Sequence, residues 1–516
     1  MTPLPELNNV TIKIISFLNN STSHNQIRQV QTQLILQNLV GDSTIGSHFI
    51  TACKSLGLLD LAHLFYFTQN RRPHVFICNS LIRAFSHSHN SHSPLFIYLH
   101  MLRNSILPNN FTYPFLLKSL SDLREFKQGE CVHTHVIKLG HYNDIYVLNS
   151  LLDVYASSGH IYLCRKLFDE FPQRDVVSWT VLIMGYRNAR KYDESLIAFE
   201  QMQYAGVIPN HVTMVNALAA CANFGALEMG LWIHDFIKRN KWDMDVILGT
   251  SLIDMYGKCG RIEEGLAVFR SMKKKNTFTW NAVIQGLALA KSGDEALWWF
   301  NIMEQEGVKA DQVTLVAVLL ACSHAGLVDT GTRIFGAIVD GKYQFPPTVK
   351  HYACMVDIFA RAGELEEAFK CLNKMPYEPT KAIWGSLLAG GKAHGNLNLS
   401  EFAAWKLIEL EPGNSAYYVV LSNLYAQMGR WSDVEKVREM MIDKGLKKDL
   451  GYSSVEFERH KLVDYLLSYE IIWPNSPNTG EEEGKPSTSP SRRVSSIFNY
   501  TAGSALFQFF SSVSQE

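Results

Sequence analysis

Cysteine and histidine are the residues of this 516-residue chain most able to hold a metal or act as nucleophiles, so their spacing is informative. The nine cysteines are odd in number, widely scattered and without a Cys-x-x-Cys pair, which is typical of reduced thiols in a non-secretory compartment. None of the 18 histidines begins a His-x-Glu motif. A water-activating zinc site of the His-x-Glu and Cys-x-x-Cys type is therefore not predicted, and we expect no metal and no cofactor.

Other sequence features exclude further classes of protein. No Walker loop, Gly-x-Ser-x-Gly or His-Glu-x-x-His motif occurs, so the chain is predicted not to be an enzyme by itself. The longest apolar runs, such as 313–322, are too short to span a bilayer. With 48 basic and 49 acidic residues, the chain lacks the basic excess of a protein held mainly by phosphate contacts. Any binding of nucleic acid should therefore depend on base contacts and local basic residues.

The cysteines and histidines are nevertheless spaced regularly, because Cys221 and Cys322 lie 101 residues apart, as do His133 and His234. The same offset relates Trp179 to Trp280, Phe168 to Phe269, Met101 to Met202 and Met303, and Gly129 to Gly230 and Gly331. A period held this strictly indicates a repeat array. It divides into units of 35, 35 and 31 residues, which predicts a solenoid whose units contact only their neighbours.

One unit, 176–210, predicts what each repeat contains. Apolar residues follow the i, i+3, i+4, i+7 spacing of a first helix, at Trp179, Leu182, Ile183 and Tyr186. Asp193 is predicted to cap a second helix, and Gly206 to end it in a left-handed conformation. Helices this short are not stable alone, so they must stack on neighbouring units. The predicted fold class is all-α, a right-handed superhelical α-solenoid of helix-turn-helix repeats.

The chain divides into six segments. Residues 1–24 are acidic-poor and form a candidate organellar targeting leader, although the first arginine comes only at 28. Residues 25–74 hold degenerate first repeats, and 381–449 hold two further helix pairs. Residues 450–469 precede a low-complexity or divergent tail, 470–516, in which 474–493 is predicted to be disordered. The regular array covers 75–380, in units 75–109, 110–144, 145–175, 176–210, 211–245, 246–276, 277–311, 312–348 and 349–380.

Units such as 176–210, which begins Val-Val-Ser-Trp-Thr-Val-Leu-Ile-Met-Gly-Tyr and ends Gly-Val-Ile-Pro-Asn, resemble pentatricopeptide repeats. The alternation of 35, 35 and 31 residues resembles the plant PLS class. Residues 381–449 resemble the E1 and E2 modules of its E subgroup, and 450–469 resembles a degenerate start of the E+ segment that lacks its Pro and Trp. The resemblance implies a protein that binds single-stranded RNA in an organelle, one base per repeat.

The resemblance also implies that the fifth and last residues of a unit together read one base edge. Five units carry such base-reading pairs: Asn79 with Asn109 for a pyrimidine, Asn149 with Asp175 for U, Thr180 with Asn210 for A, Thr250 with Asn276 for A, and Asn281 with Asp311 for U. The implied base-stacking residues are Phe76, Val177, Ile247 and Phe278. The ambiguous units offer Pro114 with Asp144, Val215 with Asp245, Val316, and Ala353 with Thr380. The implied target, read 5′ to 3′, is Y-x-U-A-x-A-U-x-x.

Alternative interpretations of these residues are open. Asn, Asp and Thr at helix starts are ordinary caps, and only five pairs in register favour RNA reading. The leading expectation is a factor that specifies C-to-U editing, recruiting a DYW-type deaminase in trans and other editing cofactors through 381–449. The same array could instead stabilise, splice or help translate a transcript. A tetratricopeptide-like scaffold that binds only protein is the rival from another class. The expected location is the mitochondrion, with the chloroplast as the alternative.

Overall fold

A computed structural model of the chain describes residues 9–69, 73–86 and 92–446, and predictions that fall on 447–516, the E+ start and tail included, lie outside these ranges. All regular secondary structure in the described ranges is helical, with no strand. The helices are α1 (Asn9–Asn19), α2 (His24–Leu36), α3 (Ser43–Ser55), α4 (Leu59–Gln69), α5 (Val75–Ser86), α6 (Ser93–Arg103), α7 (Tyr113–Leu123), α8 (Phe126–Lys138), α9 (Ile145–Ser157), α10 (Ile161–Asp169), α11 (Val176–Asn188), α12 (Tyr192–Tyr204), α13 (His211–Phe224), α14 (Leu227–Arg239), α15 (Val246–Lys258), α16 (Ile262–Ser271), α17 (Thr277–Leu289), α18 (Gly293–Gln305), α19 (Gln312–Ala325), α20 (Val328–Val339), α21 (Val349–Ala362), α22 (Leu365–Lys374), α23 (Lys381–Ala393), α24 (Leu397–Leu410), α25 (Ser415–Gln427) and α26 (Trp431–Asp443).

Consecutive helices form pairs joined by short turns, beginning with α1 and α2 and ending with α25 and α26. In the array, each first helix packs against its own second helix and against the first helix of the next pair, as α15 does with α16 and α17. Each unit therefore buries its apolar face on its neighbours, which is how short helices become stable. The predicted all-α repeat solenoid is confirmed.

The unit 176–210 shows one success and one error of the sequence prediction. Its helices are α11 and α12, and Gly206 follows the second helix with a φ of 69°, as predicted. The predicted cap at Asp193 is wrong, because α12 begins at Tyr192 with Lys191 as its N-cap residue. Asp193 lies in the first turn instead, where its negative charge still interacts favourably with the helix dipole.

An aromatic contact recurs with the 101-residue period. The Trp179 ring packs edge-on against Phe168, with ring centroids 4.7 Å apart. One period later, Trp280 packs in the same way against Phe269 at 4.8 Å. All four rings are buried. Each contact joins the second helix of a short unit to the first helix of the following unit. The repeated spacing of Trp and Phe therefore corresponds to a contact between units that recurs along the array.

The glycines of the same period mark close approach between helices. Gly230 lies on α14, and a Cβ there would overlap the Met255 side chain of α15. Equivalent overlaps would occur between Gly129 and Val154 and between Gly331 and Ile358. Only glycine lets the second helix of a long unit approach the next first helix this closely.

Part of the candidate leader, 9–19, forms α1 and packs against α3. Leu18 of α1 is buried, and Asn19 Oδ1 lies 3.2 Å from His48 Nδ1. The segment predicted to hold degenerate first repeats, 25–74, contains most of α2 and all of α3 and α4. Helices α1 and α2 thus form the first pair of the described array. Among the described residues, no helix combines the length and apolar character needed to cross a bilayer.

The nine cysteines are free thiols, and five of them are buried: Cys53, Cys78, Cys164, Cys221 and Cys322. Burial raises the pKa of the Cys53 thiol to about 12, and that of Cys78 likewise to about 12. These thiols are therefore protonated at neutral pH and pack as small apolar groups.

Candidate nucleic-acid interface

The predicted base-reading pairs lie where one unit of the array meets the next. The fifth residues stand on first helices: Asn79 on α5, Asn149 on α9, Thr180 on α11, Thr250 on α15 and Asn281 on α17. Of the last residues, Asp175, Asn210, Asn276 and Asp311 are N-caps of the next first helix, and Asn109 precedes α7. We call these five places the polar junctions.

Three of the pairs are in direct contact. Asn79 Nδ2 donates to Asn109 Oδ1 at 3.0 Å. Asn149 Nδ2 donates to Asp175 Oδ1 at 3.1 Å. The Asn281 Nδ2–Asp311 Oδ1 distance is 3.0 Å. Each bond leaves the amide nitrogen with a second N–H, which is the group available to a base edge.

The two threonine pairs meet through a third residue rather than directly. Thr180 Oγ1 lies 2.6 Å from Thr213 Oγ1, which in turn donates to Asn210 Oδ1 at 3.0 Å. Thr250 is linked in the same way, at 2.9 Å from Thr279 Oγ1, and Thr279 donates to Asn276 Oδ1 at 3.1 Å.

A hydroxyl at the third residue of the next unit occurs in all five polar junctions, and the sequence prediction missed it. These residues, which we call the bridging hydroxyls, are Thr112, Ser178, Thr213, Thr279 and Thr314, and each is fully buried. Each lies 2.7–3.2 Å from the side-chain oxygen of the last residue. In four junctions it also lies 2.6–2.9 Å from the fifth residue. The signal that could have revealed them is the capping-box spacing, a hydroxyl three residues after each cap.

The predicted base-stacking residues follow each cap by two positions and project to solvent. Phe76 is 48% exposed, Val177 45%, Ile247 60% and Phe278 66%. These side chains are therefore accessible to a ligand, although large apolar side chains are also exposed elsewhere on the described helices. Other units expose an apolar or aromatic side chain at the same position: Phe111, Tyr146, Val212 and Val313.

The long units 110–144 and 211–245 end in junctions of a different kind, which we call the apolar junctions. Their fifth residues, Pro114 and Val215, offer no hydrogen bond to the caps. Asp144 Oδ2 instead accepts from Asn110 Nδ2 at 3.1 Å, and Asp245 Oδ2 lies 3.0 Å from His211 Nε2. The third residues of the following units, Val147 and Leu248, are buried and carry no hydroxyl.

The remaining ambiguous units are also unlike the polar junctions. At the end of 312–348, Val316 is the fifth residue and Thr348 the cap of α21. The third residue here is His351, whose Nδ1 lies 2.8 Å from Thr348 Oγ1. In the last unit, Ala353 and the cap Thr380 share no side-chain hydrogen bond, since an alanine has no polar atom to offer.

The carboxylate of Asp175 is held in its charged form. Partial burial raises its pKa, but hydrogen bonds from the Ser178 backbone and hydroxyl, and from Asn149, outweigh that effect and lower the pKa below its usual value. The capping side chain therefore remains a hydrogen-bond acceptor at neutral pH. Among the described residues, no cluster of His, Cys, Asp or Glu could hold a metal.

Comparison with known families agrees with this arrangement. The model described as "PPR repeat" matches 146–176, 177–207, 250–277, 278–308 and 351–378, and the model described as "E motif" matches 394–456. The chain is 36% identical over 484 residues to pentatricopeptide repeat-containing protein At5g56310 of Arabidopsis thaliana, covering 87% of this chain and 91% of that protein. This chain belongs to the pentatricopeptide repeat family. Its alternating repeats and E motif make it a plant PLS-class member of the E subgroup.

Other relatives in this family have organellar names. The Arabidopsis thaliana protein At2g22410, mitochondrial, is 34% identical over 73% of this chain and 60% of its own length. At1g08070, chloroplastic, from the same plant is 39% identical over 69% of this chain and 48% of its own length.

A solved structure of the family has the same fold. It is the maize pentatricopeptide repeat protein PPR10 in complex with an 18-nt psaJ RNA element. The TM-score is 0.61 at 14% identity, over 88% of this chain and 65% of that one. The E-motif match begins in the turn after α23, covers α24 to α26 and continues beyond the described residues.

Proposed function

We propose that this pentatricopeptide repeat protein is a sequence-specific single-stranded RNA-binding factor of a plant organelle. Its array reads Y-x-U-A-x-A-U-x-x, and it specifies a site of C-to-U editing. A DYW-type deaminase, supplied in trans, and other editing cofactors bind through residues 381–449. The observation that carries the proposal is the hydrogen-bond linkage of fifth and last residues in the five polar junctions, which is direct in three and runs through a bridging hydroxyl in two.

The geometry of the polar junctions supports base reading. In the Asn281–Asp311 pair, the amide and the carboxylate are fixed against each other at 3.0 Å, so the base meets preorganised groups. Preorganisation lowers the entropic cost of binding. The exposed Phe278 lies three residues before Asn281 on the same helix, where it can stack on the same base.

The near-neutral chain is consistent with this type of recognition. With a formal net charge of −1, affinity must come largely from base stacking and base-edge contacts, and its salt dependence should be modest. A scaffold that binds only protein would give no reason for five polar pairs with exposed apolar residues beside them.

The E motif supports the editing role. The resemblance to the E subgroup implies that the E modules recruit partner proteins. Residues 394–456 match the E-motif model. The sequence carries no His-x-Glu with Cys-x-x-Cys of its own, so the deaminase would be a separate protein. Relatives named mitochondrial and chloroplastic support an organellar location, and we propose the mitochondrion.

A binding assay tests RNA recognition. The full chain is titrated against a single-stranded oligomer containing C-x-U-A-x-A-U and against a shuffled oligomer of the same composition. We expect clear preference for the first. Equal or undetectable binding of both would leave the protein-only scaffold as the better interpretation.

A recoded variant tests the register. Thr180→Asn together with Asn210→Asp converts the pair assigned to the fourth base to the type at Asn281 and Asp311. We expect the preference at the fourth base to move from A to U, by roughly the tenfold that one well-made base contact provides. Retained preference for A would show that these two residues do not read that base.

Editing is tested in the plant. Organellar transcripts from a line that lacks the protein should contain one cytidine that is no longer edited. Loss of a transcript end, with all cytidines edited as before, would instead assign the protein to RNA stabilisation.

A further inference from the structure

The bridging hydroxyl is a third member of each polar junction, and its hydrogen bonds restrict what the reading residue can offer a base. At Asn281 and Asp311, Thr314 Oγ1 accepts from the Asp311 backbone N–H at 3.0 Å. Its own hydrogen faces two acceptors, Asn281 Oδ1 at 2.6 Å and Asp311 Oδ1 at 3.0 Å. A hydroxyl has one hydrogen to donate, so these acceptors compete for it.

The competition favours the asparagine. Asp311 Oδ1 already accepts from the Thr314 backbone N–H at 2.8 Å and from Asn281 Nδ2 at 3.0 Å. Asn281 Oδ1 has the shorter contact, and Thr314 is the donor beside it. The bond from Thr314 to the carbonyl oxygen and the bond from one amide N–H to Asp311 together fix the orientation of the Asn281 amide. Its second amide N–H is then the donor that remains for a base.

The distribution of the hydroxyl along the chain agrees with a role in reading. Every junction with a polar pair carries Thr or Ser at the bridging position, whereas the two apolar junctions carry Val147 and Leu248. If the hydroxyl served only to cap the helix, its presence would not depend on whether the fifth residue of the preceding unit is polar. Asp144 and Asp245 cap α9 and α15 without it.

We propose that the four bridging hydroxyls that contact a fifth residue, those of Thr112, Thr213, Thr279 and Thr314, are positioning residues that determine base preference, by fixing the orientation of the fifth side chain. The inference rests on the proposed RNA-reading function and adds a third position to four of the five reading pairs. The group recognised is the pyrimidine or purine edge opposite that junction. The hydroxyl itself is fully buried and acts through the fifth residue, without touching RNA.

One junction provides an internal comparison. At Asn149 and Asp175, Ser178 Oγ donates to Asp175 Oδ1 at 2.7 Å and makes no bond to the asparagine. Asn149 Oδ1 is buried with no hydrogen-bond partner. Its amide is therefore less strictly oriented than that of Asn281. We expect weaker discrimination between U and C at the third base of the target than at the seventh.

The test is a pair of variants at the seventh base. Thr314→Val keeps the shape of the side chain and removes the hydroxyl, while Thr314→Ser keeps the hydroxyl. The ratio of dissociation constants for oligomers with C or U at the seventh base is measured for each full-length protein. We expect Thr314→Val to lower this ratio about fivefold, the size of one net hydrogen bond, and Thr314→Ser to retain it. Discrimination at the fourth base should be unchanged in both.

Controls separate this inference from the proposed function. Leu248→Val changes a buried third residue at an apolar junction and should leave every base preference unchanged. If Thr314→Val lowers the yield of folded protein, Thr279→Val gives the same test at the sixth base. Wild-type protein that binds target and shuffled RNA equally would overturn the proposed function. Wild-type protein that discriminates, with Thr314→Val and Thr279→Val discriminating equally well, would overturn the role of the hydroxyl alone.

Discussion

The polar and apolar junctions have the same arrangement of helices, but their capping side chains have different hydrogen-bond partners. At a polar junction, Asp311 accepts from Asn281, the fifth residue of the preceding first helix. At an apolar junction, Asp144 accepts from Asn110, and Asp245 lies beside His211. Asn110 and His211 are the first residues of their long units. The same aspartate position thus faces a reading residue in one place and a surface partner in another.

The difference follows from two neighbouring positions. In four of the five polar junctions a hydroxyl links the fifth residue to the cap, as Thr314 does, whereas Ser178 contacts only the cap. Where the fifth residue is Val215, the third residue of the next unit is the buried Leu248, so both positions are apolar. Burying a polar group without a partner costs free energy, which favours a hydroxyl opposite a polar fifth residue. A cap alone therefore says nothing about whether a junction reads a base.

The long units place their buried polar contacts elsewhere. His234 Nδ1 on α14 lies 2.6 Å from the Tyr256 hydroxyl of α15, and His133 makes the equivalent contact with Tyr155 at 2.8 Å. These bonds connect a second helix to the next first helix, on the side where glycine allows close approach. The buried polar contacts of the long units thus connect neighbouring helices of the stack, while the polar side chains of the polar junctions are those proposed to read RNA.

The largest effect is expected from making a polar junction apolar. Asn281→Leu removes the donor to Asp311 and the acceptor of Thr314 while keeping a similar side-chain volume. The loss of a base-edge contact and of buried hydrogen bonds should reduce preference for U at the seventh base roughly tenfold or more. Binding of oligomers that differ only at that base measures the effect.

The matched control for Asn281→Leu is Val215→Leu, which changes the fifth residue of an apolar junction. It should leave base preference unchanged throughout the target. If the two variants altered recognition to the same degree, the distinction between the junctions would have no functional meaning.

An intermediate effect is expected from removing the caps. Asp311→Ala and Asp245→Ala each delete a side chain that accepts from the helix N-terminus, so α19 and α15 should lose stability by about 1 kcal/mol. Hydrogen exchange of the amides in each helix measures this loss. Only Asp311→Ala should also reduce base discrimination. Reduced discrimination in Asp245→Ala would assign a reading role to the apolar junction as well.

Much of this comparison could be predicted from the sequence, and the rest could not. The 101-residue period predicted the helix pairs, and the resemblance to pentatricopeptide repeats implied which positions form a pair at each junction. It could not predict the hydrogen bond from Thr314 to Asn281, since these residues are 33 positions apart and belong to different repeats. It also misassigned the cap of α12 to Asp193, because the helix starts at Tyr192 in the structure.

The smallest effect is a dependence of stability on pH that belongs to the long units. Burial, with the nearby charge of Lys238, lowers the pKa of His234 from 6.5 to about 4. The unfolded chain therefore binds more protons than the folded chain between these values, and stability falls as the pH drops from about 6.5 towards 4. His234→Gln removes the titrating group and should flatten the melting temperature across this window.

The matched variant is His133→Gln, one period earlier, where burial also lowers the pKa of the histidine. It should also reduce the loss of stability as the pH falls below about 6.5, whereas Asn281→Leu should leave the slope as in the wild type because no histidine lies in that junction's hydrogen-bond network. A slope unchanged in both histidine variants would mean that these contacts do not govern acid stability. The two kinds of junction would then differ only in the proposed recognition of RNA, because neither kind would contribute a pH response.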